Sequence, residues 1–111
     1  HFEPIVEGMW RGVNVGGTSM LARLEGLDVC GKTGTAENPR GRDHSTFLSF
    51  APKDNPKIAI SVYVENGGFG ASAALPIASL LEEYYLTDTI RRPALLDYVR
   101  NMTINYPAYD R

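Results

Sequence analysis

Two strand-like segments separated by a five-residue turn constrain the fold of this chain most. Residues 45–51 and 57–65 are rich in apolar residues, and Pro52-Lys53-Asp54-Asn55-Pro56 between them combines residue types that favour tight turns. We therefore predict an antiparallel hairpin. In the second segment the side chains alternate, with Ile58, Ile60, Val62 and Val64 on one face and Ala59, Ser61 and Tyr63 on the other. Because both faces carry apolar residues, we predict a covering layer on each side of the sheet.

Helical patterns lie on both sides of this hairpin. Apolar residues at helical spacing from Phe2 to Val13 predict a helix that ends near Gly12, and residues 18–24 are expected to form a second, short helix. A third helix is predicted over residues 72–86, and a short fourth one over 94–102. The apolar positions of the third helix, which we expect to pack on the sheet, are Ala74, Ile77, Ala78, Leu81, Tyr84 and Tyr85. The predicted fold class is therefore α+β.

Composition excludes several classes of protein. With 111 residues, 43% of them hydrophobic and 22% charged, the chain can form one small domain with a modest core. A net charge of −2 with scattered Lys and Arg gives no sign of a nucleic-acid partner. Cys30 is the only cysteine, so we predict a buried thiol and no internal disulfide. No apolar run is long enough for a membrane span or signal peptide, and we assign no metal and no cofactor.

The most informative segment for function is Lys32-Thr33-Gly34-Thr35-Ala36, which falls in a strand predicted over residues 27–36. Side chains alternate along a strand, so Thr33 and Thr35 point to one side and Lys32 to the other. Gly34 has no Cβ and would let a ligand approach the strand closely. A cation and two hydroxyls on one exposed strand are suited to bind a carboxylate.

A series of motifs extends this pattern in a fixed order. Gly31 to Glu37 is followed by Asp43-His44-Ser45-Thr46-Phe47, Phe50-Ala51-Pro52, Asn55-Pro56-Lys57 and Val64-Glu65-Asn66-Gly67-Gly68. In this order the motifs resemble the class B penicillin-binding transpeptidases, and most closely their elongation-type members. The resemblance covers about residues 2–86. It divides the chain into the C-terminal part of a transpeptidase domain, residues 1–86, and a C-terminal extension, residues 87–111.

The resemblance implies acyl transfer on the D-alanyl-D-alanine end of a peptidoglycan stem peptide, through a serine acyl-enzyme. By the same resemblance Lys32 and Thr35 would be catalytic, and Thr33, Gly34 and Thr35 would bind the terminal carboxylate of the stem peptide or of a β-lactam. The backbone N–H of Thr35 would be one of two oxyanion donors. Arg40, Arg42 and His44 could steer an anionic substrate or be solvated loop residues.

The nucleophile of this reaction is missing from the sequence. It requires a serine three residues before a lysine. The chain contains three lysines, and the residues three positions before them are Val29, Phe50 and Asp54. No serine is followed two positions later by asparagine, so the second family signature is absent as well. We therefore predict that the chain alone is inactive.

The family's sheet has five antiparallel strands with the signature strand at the edge that faces the active-site cleft. This chain would supply three of them, and the sheet edge left open would favour self-association unless the tail covers it. The resemblance also implies a parent protein on the periplasmic face of the bacterial inner membrane, anchored by an N-terminal helix outside this chain and working in a cell-wall synthesis complex.

Two other interpretations remain open from the sequence. One is a fragment of a serine β-lactamase, which belongs to the same superfamily and differs in a deacylating base that would lie upstream. The other is a non-catalytic interaction module in which residues 32–35 form only a polar strand. A Ser-x-x-Lys motif encoded before His1 would exclude the module.

Overall fold

Three strands and three α-helices form the part of the chain that the computed structural model describes, residues 2–104. The elements are α1 (Glu3–Asn14), a 3₁₀ turn (Met20–Ala22), β1 (Cys30–Ala36), β2 (His44–Ala51), β3 (Ile58–Val64), α2 (Ala74–Thr87) and α3 (Pro93–Arg100). The strands form one antiparallel sheet in the order β1-β2-β3. The predicted α+β class with a sheet of three strands is confirmed.

The predicted hairpin is the β2–β3 pair. Its turn is closed by the backbone N–H of Lys57, which donates to the carbonyl of Ala51 at 2.8 Å. Asn55 occupies the left-handed region with φ of 52°, which asparagine tolerates better than most residues. The start of β1 is later than predicted, at Cys30 instead of residue 27. Asp28 has a positive φ of 45°, and this conformation interrupts an extended strand.

The hydrophobic core lies between α2 and one face of the sheet. Because side chains alternate, this face carries Phe47 of β2 together with Ile60 and Val62 of β3. The buried residues that form the core are Val13, Ala22, Leu24, Val29, Phe47, Ala51, Ala74, Leu75 and Ala78. α1 packs against β1 and contributes Val13.

The prediction of a layer on each side of the sheet is wrong for the described residues. On the face opposite α2, Leu48 is 51% exposed and Tyr63 is 57% exposed, and Ala59 and Ser61 are exposed beside them. Alternating apolar residues show that both faces suit burial, but they do not show what covers each face. In the described part of the chain, β3 also pairs with β2 alone, so its outer edge is open.

The helices differ from their predictions in extent and orientation. α1 runs past Gly12 to Asn14, and the predicted helix over residues 18–24 is the short 3₁₀ turn. In α2, Leu81, Tyr84 and Tyr85 are between 54% and 61% exposed, whereas Leu75, Ala78 and Glu82 are buried. The prediction that the tyrosines face the sheet is therefore wrong. The helix is rotated so that a face of small residues and one carboxyl meets the sheet.

The predicted fourth helix is confirmed as α3, which packs against α2. The guanidinium of Arg92 fixes its start by donating to Glu83, to the hydroxyl of Ser79 and to the carbonyl of Leu21. The described part of the C-terminal extension thus lies on α2, and residues 105–111 are outside the described residues. The division of the chain at residue 86 stays a prediction.

Burial of Glu82 leads to a prediction for stability. Its side chain has no solvent exposure, and burial raises its pKa to about 7 from 4.5, although the Ser49 hydroxyl opposes the shift. The folded state therefore holds a proton that the unfolded state releases between these values. Stability from this group is complete below about pH 4.5 and is lost as the pH rises through about 7. We expect stability to fall by about 2 kcal/mol between pH 5 and pH 8 on this account.

Glu82→Gln should remove this loss, because the amide does not ionise. Urea denaturation of both proteins across this pH range measures the effect. Parallel pH profiles for wild type and variant would contradict the assignment to Glu82.

Candidate active site

The segment Lys32 to Thr35 lies in the middle of β1, which is an edge strand of the described sheet. In the register of the sheet, Thr33 pairs with Phe47 and Thr35 pairs with Ser45, so both threonines share the face that α2 covers. Lys32 pairs with Leu48 and belongs to the opposite face. Lys32 and Thr35 are exposed, and Thr33 is half-buried. A cation and two hydroxyls therefore flank one open strand from its two sides.

Lys32 folds back over its own strand. Its Nζ donates to the carbonyl of Thr33 at 2.9 Å. Within residues 2–104 the ion pairs are Lys53–Glu7 and Arg92–Glu83, so Lys32 has no carboxylate partner there. The positive charge is consequently held close to the backbone of β1, and within residues 2–104 no ion pair neutralises it.

At Gly34, the strand β1 lies very close to β2 and to the loop that follows β3. A Cβ on this residue would collide with the hydroxyl of Thr46 on β2. A Cβ on Gly70 would lie only 2.7 Å from the carbonyl oxygen of Gly34 and 2.5 Å from that of Thr46, so the loop at residues 66–73 rests directly on the strand. The sequence predicted that Gly34 admits a ligand, and that role stays a prediction.

Ser45 anchors this loop opposite Thr35. Its buried hydroxyl donates to the carbonyl of Phe69 at 2.9 Å and accepts from the backbone N–H of Ala74, also at 2.9 Å. One side chain thereby joins β2, the loop and the first turn of α2. Sequence reasoning did not identify this role, although a serine within the apolar alternation of a strand is a signal for a buried hydrogen bond.

His44 is part of the fold and not a free steering residue. Its Nδ1 accepts the backbone N–H of Asn66 at 3.0 Å, and its ring lies 5.4 Å from that of Tyr63. The side-chain amide of Asn38 donates to Asn66 Oδ1 at 2.6 Å, which ties the loop after β1 to the turn after β3. Arg42 is exposed on this loop, with its guanidinium beside Gly68. Steering by Arg40 and Arg42 stays a prediction.

β1 lies at an edge of the described sheet, where it can form one wall of a site. Two of the concave surfaces of the described residues lie elsewhere, one along the start of α1 beside Lys53 and one under α3 beside Tyr98. Residues 2–104 contain no cluster of three or more His, Cys, Asp or Glu side chains that could hold a metal. None of their helices is both long and apolar enough to cross a bilayer. Burial raises the pKa of Cys30 to about 11, so this thiol is not a nucleophile at neutral pH.

Comparison with known proteins gives consistent matches. The model of the penicillin binding protein transpeptidase domain matches residues 1–81. The chain is 35% identical to the peptidoglycan D,D-transpeptidase MrdA of Haemophilus influenzae, over 80% of this chain and 16% of the relative. It is 36% identical to MrdA of Acinetobacter baumannii, over 69% of this chain and 14% of the relative. The chain therefore spans only a small part of the length of these relatives.

Solved structures give the same result. The crystal structure of Pseudomonas aeruginosa PBP2 in complex with WCK 5153 superimposes with a TM-score of 0.67 and 36% identity, over 78% of this chain and 19% of that one. The imipenem acyl-enzyme complex of penicillin-binding protein A from M. tuberculosis matches with a TM-score of 0.59 and 32% identity, over 74% and 18%.

Proposed function

Because this chain belongs to the penicillin-binding protein transpeptidase family, we propose that it forms the signature-strand wall of a peptidoglycan D,D-transpeptidase active site. The similarity to MrdA and to P. aeruginosa PBP2 supports the elongation-type assignment made from the sequence. The observation that carries the proposal is the open edge strand, where exposed Lys32 and Thr35 lie on either side of Gly34.

In the proposed reaction, a serine supplied by another part of the full-length protein attacks the penultimate carbonyl of the stem peptide. The bond to the terminal D-alanine breaks and D-alanine leaves, which forms an acyl ester on the serine. An amine of a neighbouring stem then attacks this ester, so that a new amide forms, the bond to the serine oxygen breaks and the serine hydroxyl is regenerated. Thr33 and Thr35 hold the terminal carboxylate by hydrogen bonds to a charged acceptor, which are stronger than neutral ones. Lys32 supplies positive potential, and the N–H of Thr35 stabilises the developing oxyanion.

β-Lactams are proposed ligands of the same wall, since their ring carboxylate mimics that of the stem peptide. The imipenem acyl-enzyme of the M. tuberculosis relative supports this proposal. We also propose that the parent protein acts on the periplasmic face of the inner membrane within a cell-wall synthesis complex. The transpeptidase names of the relatives favour this function over a β-lactamase, and membership of the family disfavours an interaction module.

The chain on its own should not form a covalent adduct with benzylpenicillin. Its six serines all lack a lysine three positions later, so none is activated as a nucleophile. Intact-mass spectrometry after incubation tests this, with the full-length transpeptidase as the positive control that should gain one penicilloyl group. An adduct on the chain alone, or none on the full-length protein, would contradict the proposed function.

We further expect the isolated chain to self-associate. The outer edge of β3 has unpaired backbone groups, and Leu48 and Tyr63 leave an apolar surface on the adjoining face. Light scattering should detect dimers or larger species at micromolar concentration. A monodisperse monomer that melts in one sharp transition would be evidence against this expectation.

A further inference from the structure

A buried series of hydrogen-bonded groups connects α2 to the start of the signature strand. The hydroxyl of Ser49 lies 2.8 Å and 3.1 Å from the two carboxyl oxygens of Glu82, and 2.9 Å from the carbonyl oxygen of Cys30. Ser49 and Glu82 have no solvent exposure. Cys30 is the first residue of β1 and lies two positions before Lys32. The three groups therefore run from the helix, through the central strand, to the strand of the site.

The number of protons sets the direction of this chain of hydrogen bonds. Ser49 has a single hydroxyl proton and two acceptors, the carbonyl of Cys30 and the carboxyl of Glu82. If Glu82 is protonated, its O–H donates to Ser49 and the serine proton is left for Cys30, so both bonds form. If Glu82 is ionised, it competes with Cys30 for the serine proton. Burial without a cation favours the protonated form, and in residues 2–104 Glu82 makes no ion pair.

We propose that Glu82 is a positioning residue for the transpeptidase reaction, acting through Ser49 to hold the start of β1 so that Lys32 and Thr35 meet the substrate in the productive geometry. This inference rests on the function proposed above. Burying a carboxyl costs free energy that burying an apolar side chain at this position would not, and within residues 2–104 no cation pairs with Glu82 to offset this cost. A directional link to the site strand accounts for that cost.

Four variants of the full-length transpeptidase test this role. Ser49→Ala and Glu82→Leu each remove a member of the hydrogen-bond series from Glu82 through Ser49 to Cys30. Glu82→Gln keeps a side-chain donor for Ser49. Val62→Ala loosens the same helix–sheet interface without touching β1. The rate constant for acylation from the bound complex is measured with a chromogenic cephalosporin. We expect it to fall about tenfold in the two breaking variants, since small misplacements of catalytic groups have effects of this order or larger. In the two breaking variants, the affinity for the unreacted cephalosporin should stay within about twofold of wild type. In Glu82→Gln and Val62→Ala, the acylation rate constant should also stay within about twofold of wild type.

A second readout does not depend on acylation. Amide hydrogen exchange of residues 31–35 should be about tenfold faster in Ser49→Ala than in Val62→Ala. Ser49→Ala removes the hydrogen bond that anchors the start of β1, whereas Val62→Ala lowers the stability of the helix–sheet interface in general. Equal exchange and equal acylation rates in these two variants would overturn the positioning role. If wild type is not acylated while the exchange of Ser49→Ala still rises, the proposed function fails and the anchoring role of Ser49 stands.

Discussion

Lys32→Met in the proposed full-length transpeptidase is expected to slow acylation by benzylpenicillin more than about hundredfold, the order seen when one preorganised electrostatic group is removed from an active site. Lys32 is the only cation of its motif, and in the described part of the chain no carboxylate neutralises it. Methionine keeps the length and apolar character of the side chain. Because Lys32 is exposed, the fold should be retained.

Arg42→Ala is the matched control for this experiment. Arg42 is also an exposed cation but lies on the loop after β1, so its loss should change the acylation rate by no more than about threefold, as is usual for an exposed charge at a rim. Circular dichroism and melting temperature establish that both variants are folded. Equal rates for folded Lys32→Met and Arg42→Ala would exclude the role assigned to Lys32.

Thr35→Val should slow the same reaction about tenfold to a hundredfold, which corresponds to the loss of one hydrogen bond to a charged group, about 1.5–3 kcal/mol. Valine has nearly the shape and strand propensity of threonine, and it preserves the backbone N–H of residue 35. The side chain is exposed and makes no hydrogen bond within residues 2–104, so the variant should be as stable as wild type. Thr18→Val, at an exposed position after α1, is the control for the substitution itself.

The elements with strong local signals could be predicted from the sequence. The hairpin followed from alternation and turn residues, and the structure places its strands within one residue of the predicted bounds. The signature strand and α3 were likewise predicted from Gly, Pro and apolar spacing, although β1 begins at Cys30 and not at residue 27. Such signals arise within a few neighbouring residues, so they do not depend on how the rest of the chain packs.

The features that depend on tertiary contacts could not be predicted. The predicted face of α2 was right for Ala74 and Ala78, which are buried in the core, but wrong for Leu81, Tyr84 and Tyr85, which are exposed. The pattern did not indicate that the carboxyl of Glu82 would be buried instead. The residues that hold the candidate site in place could not be predicted for the same reason, because they also depend on tertiary contacts. Ser45 and Asn66 act through partners more than 20 positions away in the sequence, and no local pattern indicates which residues those partners are.

A comparison of benzylpenicillin with its methyl ester tests most directly whether this strand binds a carboxylate. Esterification removes the ligand's charge, and Thr35→Val removes the proposed partner, so the two changes form a double-mutant cycle. If Thr35 binds the carboxylate, the ester should acylate the wild-type protein about tenfold to a hundredfold more slowly than the acid does. In the Thr35→Val protein, the ester should react at most about threefold more slowly than the acid. The same penalty for the ester in both proteins would show that the carboxylate binds elsewhere and would contradict the proposed role of the strand.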